Sequence, residues 1–173
     1  MTREEFEAIP WVQQNDATLC WAAALEWWGL AARQGWVDQN RIMRDCEQYW
    51  VQAGSDLADP RYGTLGIEDM PAVAEVLRTR YGWAITAEVR LTDAMTWEFF
   101  SQHLPCFAAF PVIGEGECGD LEKDKPPDFH AVVVYGADRE YLYSMDPSEG
   151  FRRDFMVDLF ACRGWLTCVA YRP

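Results

Sequence analysis

Residues 12–30 read VQQNDATLCWAAALEWWGL, and the change of character at Cys20 decides how the chain is read. The residues before it are those of a polar loop, whereas the run CWAAALEWWGLAAR, residues 20–33, is apolar on most faces. A helix with a single apolar stripe lies on a surface, but one that is apolar nearly all round requires burial on nearly every side. The run is therefore expected to be the central helix of the domain, with Cys20 in its first turn. A cysteine inside such a helix would be ordinary packing. At a helix start, unpaired backbone N–H groups and the positive end of the dipole favour the thiolate, so its position suggests chemistry.

Working outward, VDQNRIMRDCEQYWVQAG, residues 37–54, reads as an amphipathic surface helix capped by Asp38 and stopped at Gly54. GIEDMPAVAEVLRTRYGW, residues 66–83, predicts a third helix, with acids early, Pro71 near its start, basic residues late and Gly82 at its end. The second half changes period. WAITAEVR (83–90) alternates as a half-buried strand, TDAMTWEFFSQHL (92–104) reads as a short helix capped by Thr92 or Asp93, and PCFAAFPVI (105–113) as a buried strand. A polar loop follows from Gly114 to Asp128, then strands in FHAVVVYG (129–136), EYLYSMD (140–146) and WLTCVAYR (165–172). Helices first and an antiparallel sheet second predict an α+β class, a single domain over residues 1–173, and a site where the halves meet.

Composition narrows the partners. Twenty-eight acidic against fifteen basic residues give a net charge of −13, which repels nucleic acid and anionic membrane surfaces. The N-terminus MTREEFEAIPW lacks a signal-peptide pattern, which predicts a chain that is cytoplasmic as synthesised, and no apolar run approaches the roughly 18 residues of a membrane span. The six cysteines, at 20, 46, 106, 118, 162 and 168, form no C-x-x-C pair, and with only His103 and His130 available no zinc site is expected. The loop 114–128 is rich in acids but lacks the calcium-loop pattern, so it reads as a solvated loop bordering the cleft. Neither a metal nor a cofactor is called for. Most of the tryptophans read as core, with Trp21 beside the nucleophile lining the cleft and Trp11 shielding its edge.

His130 is the natural partner for Cys20, since it follows the long loop and opens an apolar strand. Asp146 ends the next strand, so a hairpin returning from His130 brings the aspartate back beside it, where it can fix the imidazole tautomer. His103, near a helix end in FFSQHLP, reads as a structural cap.

QNDATLCW, then HAVVVYG, then YLYSMDP together resemble the papain-like cysteine peptidase superfamily, in its bacterial effector-type or bacteriocin-processing branch. In that superfamily a glutamine precedes the nucleophile by six residues, which matches Gln14, and an Asn or Asp follows the histidine by about sixteen, which matches Asp146. Of the lysosomal-type signature C-G-[SA]-C-[WY], only the final Cys-Trp pair is present. The resemblance implies a papain-like fold, Cys20 as nucleophile, His130 as acid and base, Asp146 as its orienting partner and Gln14 in the oxyanion hole. It implies hydrolysis of a carboxamide, most often a peptide bond, through a thioester. Its partners would be a protein or peptide substrate and an inhibitor or immunity protein, and the effector branch would be exported by a specialised secretion system. The same constellation serves a glutamine deamidase or amidase toxin, and a binding module with Cys20 merely packed is the non-enzymatic alternative.

Overall fold

The strands of the second half alternate between two faces, and both faces are apolar, so their sheet must be covered on both sides. The computed structural model describes residues 1–51, 62–111, 129–156 and 165–173. Among these, β1 (Thr86–Leu91), β2 (Cys106–Pro111), β3 (Phe129–Ala137), β4 (Tyr141–Asp146), β5 (Gly150–Phe155) and β6 (Leu166–Tyr171) form one six-stranded sheet. Its order is β1-β6-β2-β3-β4-β5, with every neighbouring pair antiparallel. The described helices are α1 (Arg3–Glu7), α2 (Cys20–Ala31), α3 (Gln39–Asp45), α4 (Met70–Tyr81) and α5 (Trp97–Gln102). The α+β class expected from the sequence is the one observed.

Helix α2 buries eleven of its twelve residues and lies against β3. Trp27 and Trp28 are fully buried and join Phe107, Ala131, Val133 and Met145, all on one sheet face, in a single core. Each buried indole removes roughly 150–250 Å² from water, worth about 4–6 kcal/mol before conformational entropy is counted. The opposite face presents Ala108, Val132, Val134 and Val169 to Phe99 and Phe100 of α5. The edges of the sheet carry charge, Glu88 and Arg90 on β1 and Arg152, Arg153 and Asp154 on β5, which blunts them against further pairing.

Several boundaries differ from the sequence reading. Helix α3 is capped by Asp38, which accepts from the N–H groups of Asn40 and Arg41, but it ends at Asp45. Trp50 leaves the helical path because it bridges Leu65 and its indole donates to the Met43 carbonyl. The cap of α5 is Thr96, since Thr92–Ala94 form a separate 3-10 turn anchored on the Trp165 carbonyl. Helix α1, with a Thr2–Glu5 capping box, and strand β5 were not anticipated. Trp36 is not core: it is 64% exposed, with its indole N–H on Glu26. Gly54, Cys118, Cys162 and the loop 114–128 lie outside the described residues.

Gly29 shows how tightly α2 is enclosed. A Cβ there would sit 2.6 Å from two ring atoms of Trp83 and 2.8 Å from the Gly35 carbonyl oxygen. Alanine would gain about 1 kcal/mol of helix propensity, but forcing a buried indole and a backbone carbonyl apart costs about 1–3 kcal/mol. Gly29→Ala is therefore expected to lower the urea unfolding midpoint, and an unchanged or raised midpoint would show that the Trp83 packing is looser than described.

Candidate active site

The loop before α2 is held from two sides. Glu26, buried in α2, accepts the indole N–H of Trp36 at 2.7 Å and the backbone N–H of Gln39 at 2.8 Å. Gln39 in turn donates through Nε2 to the Gln13 carbonyl at 3.0 Å and accepts the Asn15 N–H at 3.1 Å, clamping the residues on either side of Gln14. From the other side, the Gln14 N–H donates to the Pro147 carbonyl at 3.0 Å, which ties this loop to the turn after β4. The Gln14 side-chain Oε1 is buried without a hydrogen-bond partner. Such an unpaired group costs about 1–3 kcal/mol and calls for an explanation beyond packing.

Cys20 opens α2, and no side chain caps the helix there, so its first N–H groups remain available to a charge on the sulfur. The residue is only 7% exposed, and its sulfur accepts the N–H of Ala131 at 3.4 Å. Ala131 follows His130 in β3, so the imidazole stands beside the sulfur, and both side chains line the same cavity. His130 Nε2 donates to Asp146 Oδ1 at 2.8 Å, leaving the other ring nitrogen for Cys20. The β3–β4 hairpin creates this meeting: Val133 pairs with Met145 and Val134 with Ser144, so the start of β3 lies beside the end of β4.

Asp146 is 1% exposed. Burial works against its charge, but hydrogen bonds from His130 and from the hydroxyl and N–H of Ser148 outweigh it, holding the carboxyl well below the usual carboxylate range. For His130 burial likewise opposes the charged form, yet its bond to Asp146 and the nearness of Cys20 prevail, and the imidazole pKa is pushed up to about 10. Cys20, His130 and Asp146 share a cavity of about 800 Å³. Leu65, Ile67, Met70, Phe107 and Ala109 give it apolar walls, and Ser148, Glu149 and Arg152 lie at its polar side. Such a site can hold a thiolate beside an imidazolium whose proton is oriented by a carboxylate.

The sequence-selected residues are thus placed unequally. Cys20, His130 and Asp146 converge, and Gln14 is anchored beside the Asp146 turn by its backbone. Trp21 contributes to the cavity wall but is only 4% exposed, with its indole N–H fixed on the Gly63 carbonyl at 2.8 Å. Trp11 packs against Gly150, whose φ of +90° makes the turn into β5. His103 hydrogen-bonds the Phe99 carbonyl at 2.7 Å as the C-cap of α5, away from the cavity. Ser148, Arg152, Gln39 and Glu26 were missed; an Asp-x-Ser spacing after a strand is the signal that could have found Ser148. Among the described residues no cluster of three His, Cys, Asp or Glu side chains could hold a metal ion.

No protein-family model and no curated protein matches the chain. Solved structures do. A double glycine motif protease from an AMS/PCAT transporter, in complex with the leader peptide, superposes with a TM-score of 0.57 at 17% identity, covering 95% of this chain and 91% of that one. The peptidase domain of Streptococcus ComA, a bi-functional ABC transporter involved in a quorum sensing pathway, gives 0.58 at 14% identity, covering 94% and 97%. A C39-like peptidase from Bacillus anthracis gives 0.61 at 14% identity, covering 95% and 94%. The chain has the papain-like α+β fold of these peptidase domains.

The Asp146–His130 bond predicts a pH signature. Because the folded His130 value of about 10 lies above the ordinary 6.5, its stabilisation is complete below about pH 6.5 and lost as pH rises through 10. Asp146 is shifted the other way, so its stabilisation is present above about pH 4 and lost as pH falls through the folded value. Asp146→Asn should lower the His130 midpoint in an NMR titration, and its stability deficit should be widest between about pH 4 and 6.5. A wild-type His130 midpoint near 6.5 would refute the pairing.

Proposed function

We propose that this chain is a cysteine peptidase in which Cys20 is the nucleophile, His130 the acid and base, and Asp146 the orienting carboxylate. The observation that carries the reading is the convergence of Cys20, at an uncapped helix start, with a His130 already bonded to a buried Asp146. In this reading the Cys20 thiolate attacks the scissile carbonyl, forming a C–S bond and an oxyanion. The Gln14 carboxamide and the Cys20 N–H stabilise that oxyanion, each donor being worth about 3 kcal/mol in comparable sites. As the C–N bond breaks, His130 gives its proton to the leaving amine. It then takes a proton from water, which attacks the thioester and releases the carboxylate product and the thiolate.

An extended peptide suits the open cavity, and its apolar walls favour an apolar side chain near the scissile bond. The likeness to a peptidase solved with a leader peptide supports a peptide substrate and favours the processing branch over the effector one. Among the described residues the other cysteines are poor competitors: burial raises the thiol pKa of Cys46 and of Cys168 to about 12, and raises that of Cys106 as well.

Iodoacetamide at neutral pH should alkylate Cys20 well ahead of Cys46, Cys106 and Cys168. Incubation with a proteome-derived peptide library, analysed by mass spectrometry, should yield new termini, whereas a deamidase would yield only the mass gain of amide hydrolysis. Cys20→Ala should abolish the products. His130→Ala should reduce their rate roughly 10²–10⁴-fold, and Asp146→Ala should reduce it less, because an orienting group carries no proton. Activity retained in Cys20→Ala would exclude this mechanism.

A further inference from the structure

Strand β5 places a cation where the site needs one. Asp146 pairs with Gly150 and Ser144 with Arg152, so Arg152 lies diagonally across the ladder from Asp146, on the same face. Gly150, directly opposite Asp146, has no side chain to obstruct the diagonal. Arg152 Nη1 reaches Asp146 Oδ2 at 3.3 Å. The other carboxylate oxygen, Oδ1, is taken by His130 Nε2 at 2.8 Å, the Ser148 N–H at 2.7 Å and the Ser148 hydroxyl at 2.6 Å.

A buried carboxylate is tolerated when its lone pairs are met and its charge is balanced. Ser148 meets lone pairs but carries no charge, and His130 balances charge only while protonated. During turnover His130 must release its proton, and at that moment the buried Asp146 would stand uncompensated. A guanidinium remains charged at every working pH. We infer that Arg152 is a positioning residue of this site, whose fixed charge on Asp146 Oδ2 keeps that carboxylate ionised and directed at His130 throughout the reaction. The inference rests on the reading of Cys20 and His130 as a charged catalytic pair.

The surroundings hold the guanidinium in place. Glu149, in the turn, contacts Nη1 at 3.1 Å, and Asp154, on its own strand, contacts Nη2 at 3.0 Å. With Asp146 from β4, His130 from β3 and Cys20 from α2, these are, among the described residues, the charged and titratable groups facing the pair. Removing the Arg152 charge leaves Glu149 and Asp154 without that partner and Asp146 with His130 as its remaining cation, so the net charge around the site becomes more negative. The more negative field opposes formation of the thiolate, so the acid limb of Cys20 reactivity moves to higher pH.

The test is the rate of Cys20 alkylation by iodoacetamide, followed by mass spectrometry across the pH range in which the protein stays folded. Arg152→Met should raise the acid limb by about half a pH unit or more. Arg152→Gln, which keeps a hydrogen-bond donor without the charge, should move it in the same direction, and Arg152→Lys should restore most of the wild-type profile. If Arg152→Met does not fold, the glutamine and lysine variants decide the matter. Rapid wild-type alkylation with an acid limb unmoved in Arg152→Gln overturns this inference alone. Wild-type alkylation of Cys20 no faster than that of Cys46 overturns the proposed function, and this inference with it.

Discussion

A helix without a polar face has to be surrounded, and in this protein that requirement falls on α2. The sheet beneath it, α3 beside it and the loop before it are arranged to keep eleven of its twelve residues from water. Its one charged residue, Glu26, cannot be left unpaired in such a place. The bonds Glu26 accepts from Trp36 and Gln39 organise the chain on both sides of the helix, and through Gln39 they fix the residues flanking Gln14. Enclosure of the helix body leaves its uncapped start, with Cys20, as the part that meets the cavity. Burial thus sets the position of the sulfur before any of its partners is considered.

What was legible in the sequence follows from the same logic. The apolar run of α2, the proline-started and glycine-stopped α4 and the apolar strands β2 and β3 carry strong signals, because burial on all sides or a clean period leaves little choice of residue. The pairing of His130 with Asp146 was legible because a hairpin of apolar strands admits few registers. Strand β5 was not: GFRRDF is an edge strand, and the charges that protect an edge erase the apolar pattern that would announce it. With β5 unseen, Arg152 could not be placed. Gln39 and Glu26 were hidden for another reason, since a polar residue in a helix reads as solvated until tertiary structure shows what encloses it.

The described cysteines illustrate how one residue type meets different surroundings in one fold. Cys46, Cys106 and Cys168 are packed among apolar side chains, and their burial disfavours ionisation. Cys20 is nearly as buried, yet it accepts a backbone N–H, faces an imidazole and begins a helix. The surroundings differ in the backbone and side-chain groups that meet the sulfur, with burial almost constant. Around the β4–β5 turn, Arg152 joins Asp146, Glu149 and Asp154 in one cation–carboxylate network at short range.

The order of strands in the sheet bears on how the molecule comes into being. Strand β6, the latest in sequence of the described strands, lies between β1 and β2, and among the described residues β1 joins the sheet through it. While the chain is still emerging from the ribosome, α2, β2, β3 and β4 can already assemble around Cys20, His130 and Asp146, but β1 has no partner and the edge of β2 stays open. Residues 166–171 then enter as a wedge, exchanging two unpaired edges for two ladders in one step. Strand β6 thereby makes the sheet continuous, and a nascent chain stalled before it would present an adhesive edge to whatever stands nearby.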